Sequence, residues 1–324
     1  MANTPWNWTA LHAEHVTDVL RLITDIETAD SSPIRTTLAE VESYFRPSHV
    51  WSAQGAWVNS ELIAFGLART PVVNNGQQPI TISGGVVSYW REHGLGTQLL
   101  ERQLGAARIV AQRAGIESAR ARMYVDAEHR VLLSLAQELG FQEESRFVQM
   151  RRDLAQMHEV VELSPYMHIV PLSSEWVNDA RKAHNRVLAR TPAWSKHNKA
   201  MWSARLDSMR GEWCLAAVDM FGDRPRLAGY LLASGFASAV SPQGHDVIDE
   251  GYVEEIVVLP DWRGKHVATS LIMTAMDRFR SAGLSFIGID VDIVSGNNGE
   301  QLVTVFEHFG FQRVAQTNIL TIDV

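Results

Sequence analysis

The sequence predicts an α/β protein of two tandem units, each a mixed, mostly antiparallel sheet flanked by helices. Three observations predict it. The chain has 324 residues, enough for about two domains. Two stretches share one grammar: ISGGVVSYWREHGLGTQLLERQLGAARIVAQRAG followed by LSLAQELGF, and VEEIVVLPDWRGKHVATSLIMTAMDRFRSAG followed by VTVFEHFGF. Their internal spacing also agrees, with Arg91 and Gly140 49 positions apart and Arg263 and Gly310 47 apart. A long repeat seen only twice reads as duplication of a domain.

Each stretch reads as an apolar strand, a basic glycine-containing turn, a long amphipathic helix and a short helix ending in Gly-Phe. The first copy is expected over 1–154, with MRRDL (150–154) as its last strand. The polar run ending at Pro165 is the expected linker, 155–166, and the second copy spans 167–324. In that copy YMHIVPL reads as a strand, SSEWVNDARKAHNRVLA and SKHNKAMWSARLDSM as helices, and EWCLAAVDM, RLAGYLLASG and YVEEIVVL as strands. The turn formers of 235–250 predict a surface loop. The two copies are expected to pack as an intrachain pseudo-dimer.

Composition narrows the function. Hydrophobic residues are 46% and charged residues 20%, ordinary for a chain with a real core. The net charge of -8 argues against a nucleic-acid-coating surface and permits a cationic substrate. The single cysteine, Cys214, excludes an intrachain disulfide and a Cys-rich zinc site. No apolar run approaches the roughly 20 residues of a membrane helix, and the N-terminus lacks a signal-peptide pattern, so a cytoplasmic, membrane-free protein is expected.

Arg91, Gly94, Gly96 and Thr97 open a helix directly after an apolar strand. Such a helix start is an anion cradle: its first N–H groups lack intrahelical partners, and the dipole makes that end positive. An arginine and a hydroxyl at the rim add donors. The pattern Arg-x-x-Gly-x-Gly between strand and helix, with Leu139-Gly140-Phe141 and Phe309-Gly310-Phe311 downstream, resembles the acetyl-CoA-binding signature of the GNAT acyltransferase superfamily. The resemblance covers the chain twice, a layout similar to the mycothiol synthases and other tandem GNAT proteins. It implies acetyl-CoA as co-substrate without a metal, and an amine of a small molecule or peptide as acceptor. In the second copy it implies that Arg263, Gly264, Lys265, His266, Val267, Ala268 and Thr269 hold the pyrophosphate, and that Val257 and Val258 present strand amides to the pantetheine and thioester. Asn297 and Asn298 fall where family members often bind pantetheine. His266 replaces the usual middle glycine; if that position needs positive φ, histidine tolerates it at about 1 kcal/mol.

Acyl transfer to an amine needs a polarised carbonyl and a base. The first copy's strand, ISGGVVSYW, has no carboxylate, and Ala136 sits where the family commonly holds a tyrosine acid. The second copy offers Glu254 and Glu255, with Phe306 at the tyrosine position. Strand alternation should send only one glutamate into the cleft, and Glu254 is favoured slightly. The reading is therefore an N-acetyltransferase acting through its second copy, with an acyl-CoA-binding sensor or scaffold as the alternative. His12 and His15 lack a third ligand for a metal, Cys214 is expected to be packed, and Trp57, Trp90, Trp194, Trp202 and Trp213 are expected mostly in cores or at domain interfaces.

Overall fold

The computed structural model describes residues 5–30, 35–72, 79–156, 163–188, 196–240, 246–294 and 299–324. In chain order the elements are β1 (Asn7–Ala10), α1 (Val16–Ala29), α2 (Leu38–Tyr44), β2 (His49–Val58), β3 (Glu61–Pro71), β4 (Ile80–Val86), α3 (Leu95–Ala114), β5 (Arg120–Asp126), α4 (Arg130–Glu138) and β6 (Gln142–Asp153). Then follow β7 (Met167–Pro171), α5 (Ser174–Val187), α6 (Lys199–Asp207), β8 (Leu215–Asp219), β9 (Arg226–Val240), β10 (Asp246–Val258), α7 (Val267–Ser281), β11 (Phe286–Asp292), α8 (Gly299–His308) and β12 (Gln312–Asp323). Local chemistry explains the joints. Asn59 and Ser60 both take positive φ, which matches the twist of the β2–β3 hairpin. Thr37 and Glu40 form a reciprocal capping box on α2.

The chain forms two compact units, 1–144 with 318–324, and 145–317. The first has strand order β1-β2-β3-β4-β5-β12 and the second β6-β11-β10-β9-β8-β7. The strand expected to close the first copy therefore closes the second: β6 pairs antiparallel with β11, Phe286 opposite Asp153 through Asp292 opposite Phe147. The end of β12 does the same for the first unit, where Leu320 joins the core and the Val324 N–H reaches the Ala119 carbonyl at 3.0 Å. The repeat is continuous in sequence, but the edge strand of each copy is exchanged.

The expected loop at 235–250 is a second difference. Val240 pairs with Asp246 and Ala239 with Val247, so β9 and β10 run on as a long hairpin. The alternating FASAV and DVID carry strand pattern through a stretch read as turn-rich; positions 241–245 lie outside the described residues.

In the second unit the sheet is covered on both faces. Tyr230, Leu232 and Val257 pack with Trp176, Ala180 and Trp202 of α5 and α6. Leu231, Ala233 and Val253 pack with Leu271, Met276 and Phe279 of α7 and with Phe306 of α8. Trp202 and Trp213 are core residues, Trp57 and Trp90 pack half-buried in the first unit, and Trp194 lies outside the described residues. Cys214 is buried, and burial raises its thiol pKa. No helix among the described residues is long and apolar enough to cross a membrane.

Candidate active site

The site begins where two parallel strands part. β10 and β11 pair from Glu250 opposite Phe286 to Val253 opposite Ile289 and no further. Beyond that point β11 stays attached to β6, and β10 stays attached to β9 as far as Val258. One edge of β10 therefore opens into a wedge. The Leu259 N–H reaches the Ala228 carbonyl on β9 at 2.9 Å. Antiparallel alternation then turns the polar groups of Val257 towards β9, and those of Ile256 and Val258 into the wedge. Nε of Arg263 meets the Val258 carbonyl there at 3.4 Å. Of the two expected strand amides, Val258 faces the open edge and Val257 belongs to the ladder.

Tyr252 marks the apex. Its ring lies across Gly288, where an added Cβ would come within 2.6 Å of it. The hydroxyl bonds Asp290 on β11 and Gln149 on β6, tying three strands together just below the parting. Burial and then the Asp290 charge push the Tyr252 phenol far up, so it stays protonated. Crowding by protein raises the Asp290 carboxyl although its edge is solvent-accessible; the Tyr252 hydroxyl opposes this and the Glu254 charge adds to it.

Just above the apex, β10 carries a bulge. The register against β9 shifts between Val253 and Glu255, leaving Glu254 as the extra residue. The bulge overturns the expected alternation. Glu254 accepts from the Ser234 hydroxyl and Glu255 from the Tyr230 hydroxyl, and Tyr230 and Ser234 stand four apart on one face of β9. Both glutamates thus face α5 and α6. Their surroundings differ. Glu255 is buried and is gripped by Nδ1–H of His184 at 2.9 Å, by Arg205 at 2.8 Å and by Tyr230. Glu254 is half-buried, with the Ser234 hydroxyl as its donor. His197 stacks on His184 with ring centroids 4.5 Å apart; burial, helped by the His184 and Arg205 charges, pushes its imidazole down to about 4.

Past the strand comes the turn. Gly264 has φ 71° and His266 φ 60°, so the position occupied by histidine does require the left-handed region. Val267 is the first residue of α7, and the helix opens with its early N–H groups pointing out of the turn. Arg263, Lys265 and His266 are exposed, and none has an ion-pair partner among the described residues. Ala268 is exposed and Thr269 half-buried in the first helical turn. Three cationic or cationisable side chains around a helix start suit a pyrophosphate. Asn297 and Asn298 lie outside the described residues. Phe306 is packed against Phe311 in the core with centroids 5.3 Å apart and supplies no proton donor. A groove of about 440 Å³ lined by Trp213, Thr274, Asp277 and Arg278 shares no residue with the wedge. Strand geometry, and not cavity size, locates the site.

The first unit repeats the frame with other residues at the corresponding positions. β4 and β5 pair only at Ile80–Ala121 and Thr81–Arg122 before parting. Its turn has the same two left-handed positions, filled by Glu92 at φ 64° and Gly94 at φ 79°. Arg91, however, is bound at both terminal nitrogens to Asp30, at 2.6 and 2.8 Å. The Arg91 hydrogen bond, partly opposed by burial and aided by the Arg91 and His129 charges, lowers the Asp30 carboxyl. Gly96 and Thr97 sit in the first turn of α3, and Ala136 is buried.

This geometry meets an independent finding: residues 178–311 match the acetyltransferase (GNAT) family. The matched stretch lies wholly within the second unit. Among solved structures, a GCN5-related N-acetyltransferase from Sphaerobacter thermophilus is similar over 100% of this chain and 97% of its own, with TM-score 0.76 and 17% identity. A tandem GNAT protein of the clavulanic acid biosynthesis pathway is similar over 98% of both chains, with TM-score 0.66 and 13% identity. The full-length coverage shows that both units carry the GNAT fold in tandem. A search of curated proteins finds no match.

Proposed function

We propose that the second unit moves an acetyl group from acetyl-CoA to a primary amine of a small molecule or peptide, and that the first unit is non-catalytic. The observation that carries this reading is the bulge at Glu254, which sets a carboxylate at the mouth of the wedge between β10 and β11. Arg263, Lys265 and the N–H groups opening α7 would hold the pyrophosphate, while the exposed edge of β10 at Ile256 and Val258 would receive the pantetheine arm. The Val258 N–H would polarise the thioester carbonyl.

An aliphatic ammonium must lose a proton before its lone pair can attack. Glu254 takes that proton, directly or through one water. The nitrogen–carbon bond then forms, the carbon–sulfur bond breaks, and CoA departs as a thiolate that takes a proton from water. Buried Phe306, at the position of the family's tyrosine, offers no hydroxyl for that step, and a thiol of pKa about 8.5 leaves without one. The test is acetyl-CoA-dependent thiol release by the full chain across a panel of amines. Release with at least one amine, lost in Glu254→Gln, supports the reading. Tight acetyl-CoA binding with no release from any amine would favour an acyl-CoA sensor instead.

A further inference from the structure

The bulge creates an electrostatic problem. Glu254 and Glu255 are neighbours in the chain, with Cα atoms about 3.8 Å apart, and both face α5 and α6. Two carboxylates held this close each disfavour the other's ionised form. The structure answers with asymmetry. The Glu255 side chain is 1% exposed and is met by the Arg205 guanidinium, the His184 ring and the Tyr230 hydroxyl. Glu254 has the neutral Ser234 hydroxyl.

We propose that Arg205 and Glu255 form a charge-compensating pair whose balance sets the proton affinity of Glu254, making both positioning residues for the base. The inference rests on the reading of Glu254 given above. Near Glu254 stand Tyr252 and Glu255 on its own strand, Ser234 on β9 and Asp290 on β11, while His184 on α5, His197 ahead of α6 and Arg205 on α6 gather around Glu255. Tyr252 stays neutral across the working range, as does His197 above about pH 4. Asp290 is a second carboxylate close enough for the Glu254 charge to raise it, after burial as the main cause. The fixed counterweight is Arg205, which cannot lose its proton in water and which bonds Glu255 from a side chain 22% exposed at the surface of α6. The first unit has no such pair, since Ile82 and Ser83 occupy the corresponding positions of β4. The compensation accompanies the carboxylates and not the fold.

The experiment reads Glu254 directly and needs no acceptor. The full-length chain, carrying ¹³C at glutamate Cδ, is titrated by NMR, and Glu254 is the signal absent from Glu254→Gln. Arg205→Met leaves the Glu255 anion uncompensated and should move the Glu254 midpoint up by about one pH unit. Glu255→Gln keeps the side-chain shape, leaves Arg205 in excess and should move it down by a similar amount. The double variant should return it towards wild type, and Arg205→Lys should leave it nearly unchanged. A merely structural pair would shift both single variants in one direction or in neither, and either result overturns the proposal. If Glu255→Gln does not fold, Arg205→Met against the double variant carries the same contrast. Thiol release by Glu254→Gln is measured in parallel. Full activity there sinks the base reading while opposed midpoints keep the electrostatic pair, and the reverse result keeps the base and discards the pair.

Discussion

The two units share their folding grammar and differ, among other places, at one inserted residue and one ion pair. In the first unit β4 lies against β3 without a register shift, from Ala64 opposite Val86 to Arg69 opposite Thr81. In the second, β10 shifts against β9 at Glu254. The regular strand sends Ile82 into the core, whereas the bulged one brings two carboxylates to the same face. On β4 Gln103 of α3 also donates to the Ser83 carbonyl at 2.6 Å, whereas Nε of Arg91 meets the Val86 carbonyl at 3.1 Å just as Nε of Arg263 meets that of Val258. At the turn, Asp30 neutralises Arg91 in the first unit, and among the described residues no carboxylate pairs with Arg263 in the second. The apolar faces that build the sheet are kept in both. One bulge and one acid separate the surroundings of the two strand–turn segments while the frame stays the same.

The largest expected effect breaks the comparison at the bulge. Glu254→Gln retains size and hydrogen bonding but removes the proton acceptor, so kcat/KM should fall roughly 10²–10⁴-fold, with the acidic limb of the pH–rate profile displaced or lost. Steady-state kinetics on any amine that supports thiol release checks it. Unchanged kinetics would make the carboxylate structural. Glu255→Gln is no longer an inert control, because its side chain lies on the same face.

The next effect is at the turns. Arg263→Glu should weaken acetyl-CoA binding by about 10- to 100-fold in calorimetry, the value of one or two charge-assisted hydrogen bonds. Arg91→Glu should leave that affinity alone and lower thermal stability instead, because it sets two carboxylates against each other at Asp30. Equal losses in the two variants would mean that both turns hold CoA.

Much of this is legible in the sequence alone. The repeat, the α/β class and the strand–turn–helix framing of Arg91 and Arg263 follow from periodicity and glycine placement, which are local properties. The left-handed backbone at His266 is foreseen only as a condition, from the glycine that the resembled family usually holds there. The rest depends on pairing across long sequence distances. A bulge is a mismatch between two strands, so nothing in VEEIVV alone could show that Glu254 and Glu255 share a face. The salt bridge between Asp30 and Arg91 joins residues 61 apart, and the buried contact between His184 and Glu255 joins residues 71 apart. The exchange of β6 and β12 was hidden for the same reason: each strand is equally apolar whichever sheet it completes. The signal available for His184, Arg205 and Tyr230 was weak, being polar or phenolic groups on the buried stripes of α5, α6 and β9.

A smaller effect sharpens the account of the first turn. Arg91 holds the Asp30 carboxyl below its ordinary value, so the folded state binds that proton less readily than the unfolded chain. The stabilisation this gives is present above the unfolded value, near 4, and is lost as pH falls through the folded one. Asp30→Asn should therefore lower Tm more at pH 7 than at pH 3, by thermal melts in matched buffers. A drop of the same size at both values would assign the loss to packing and not to charge.

The smallest effect tests the turns as pure backbone. Each has one glycine and one side-chain-bearing residue in the left-handed region, in opposite order: Glu92 then Gly94, and Gly264 then His266. A Cβ added at Gly94 or Gly264 would meet nothing within 4 Å, so substitution there costs conformational strain alone. Gly94→Ala and Gly264→Ala should each destabilise by about 1 kcal/mol. That is a fall of roughly 2–4 °C in Tm for a domain of this size. His266→Gly removes similar strain from the folded state but loosens the unfolded chain, so its net effect should stay within about 0.5 kcal/mol of zero. Equal, substantial destabilisation by His266→Gly would show that the imidazole makes an interaction worth more than its strain. In that case the exchange of glycine for histidine at the second turn reflects selection for the side chain and not tolerance of the backbone.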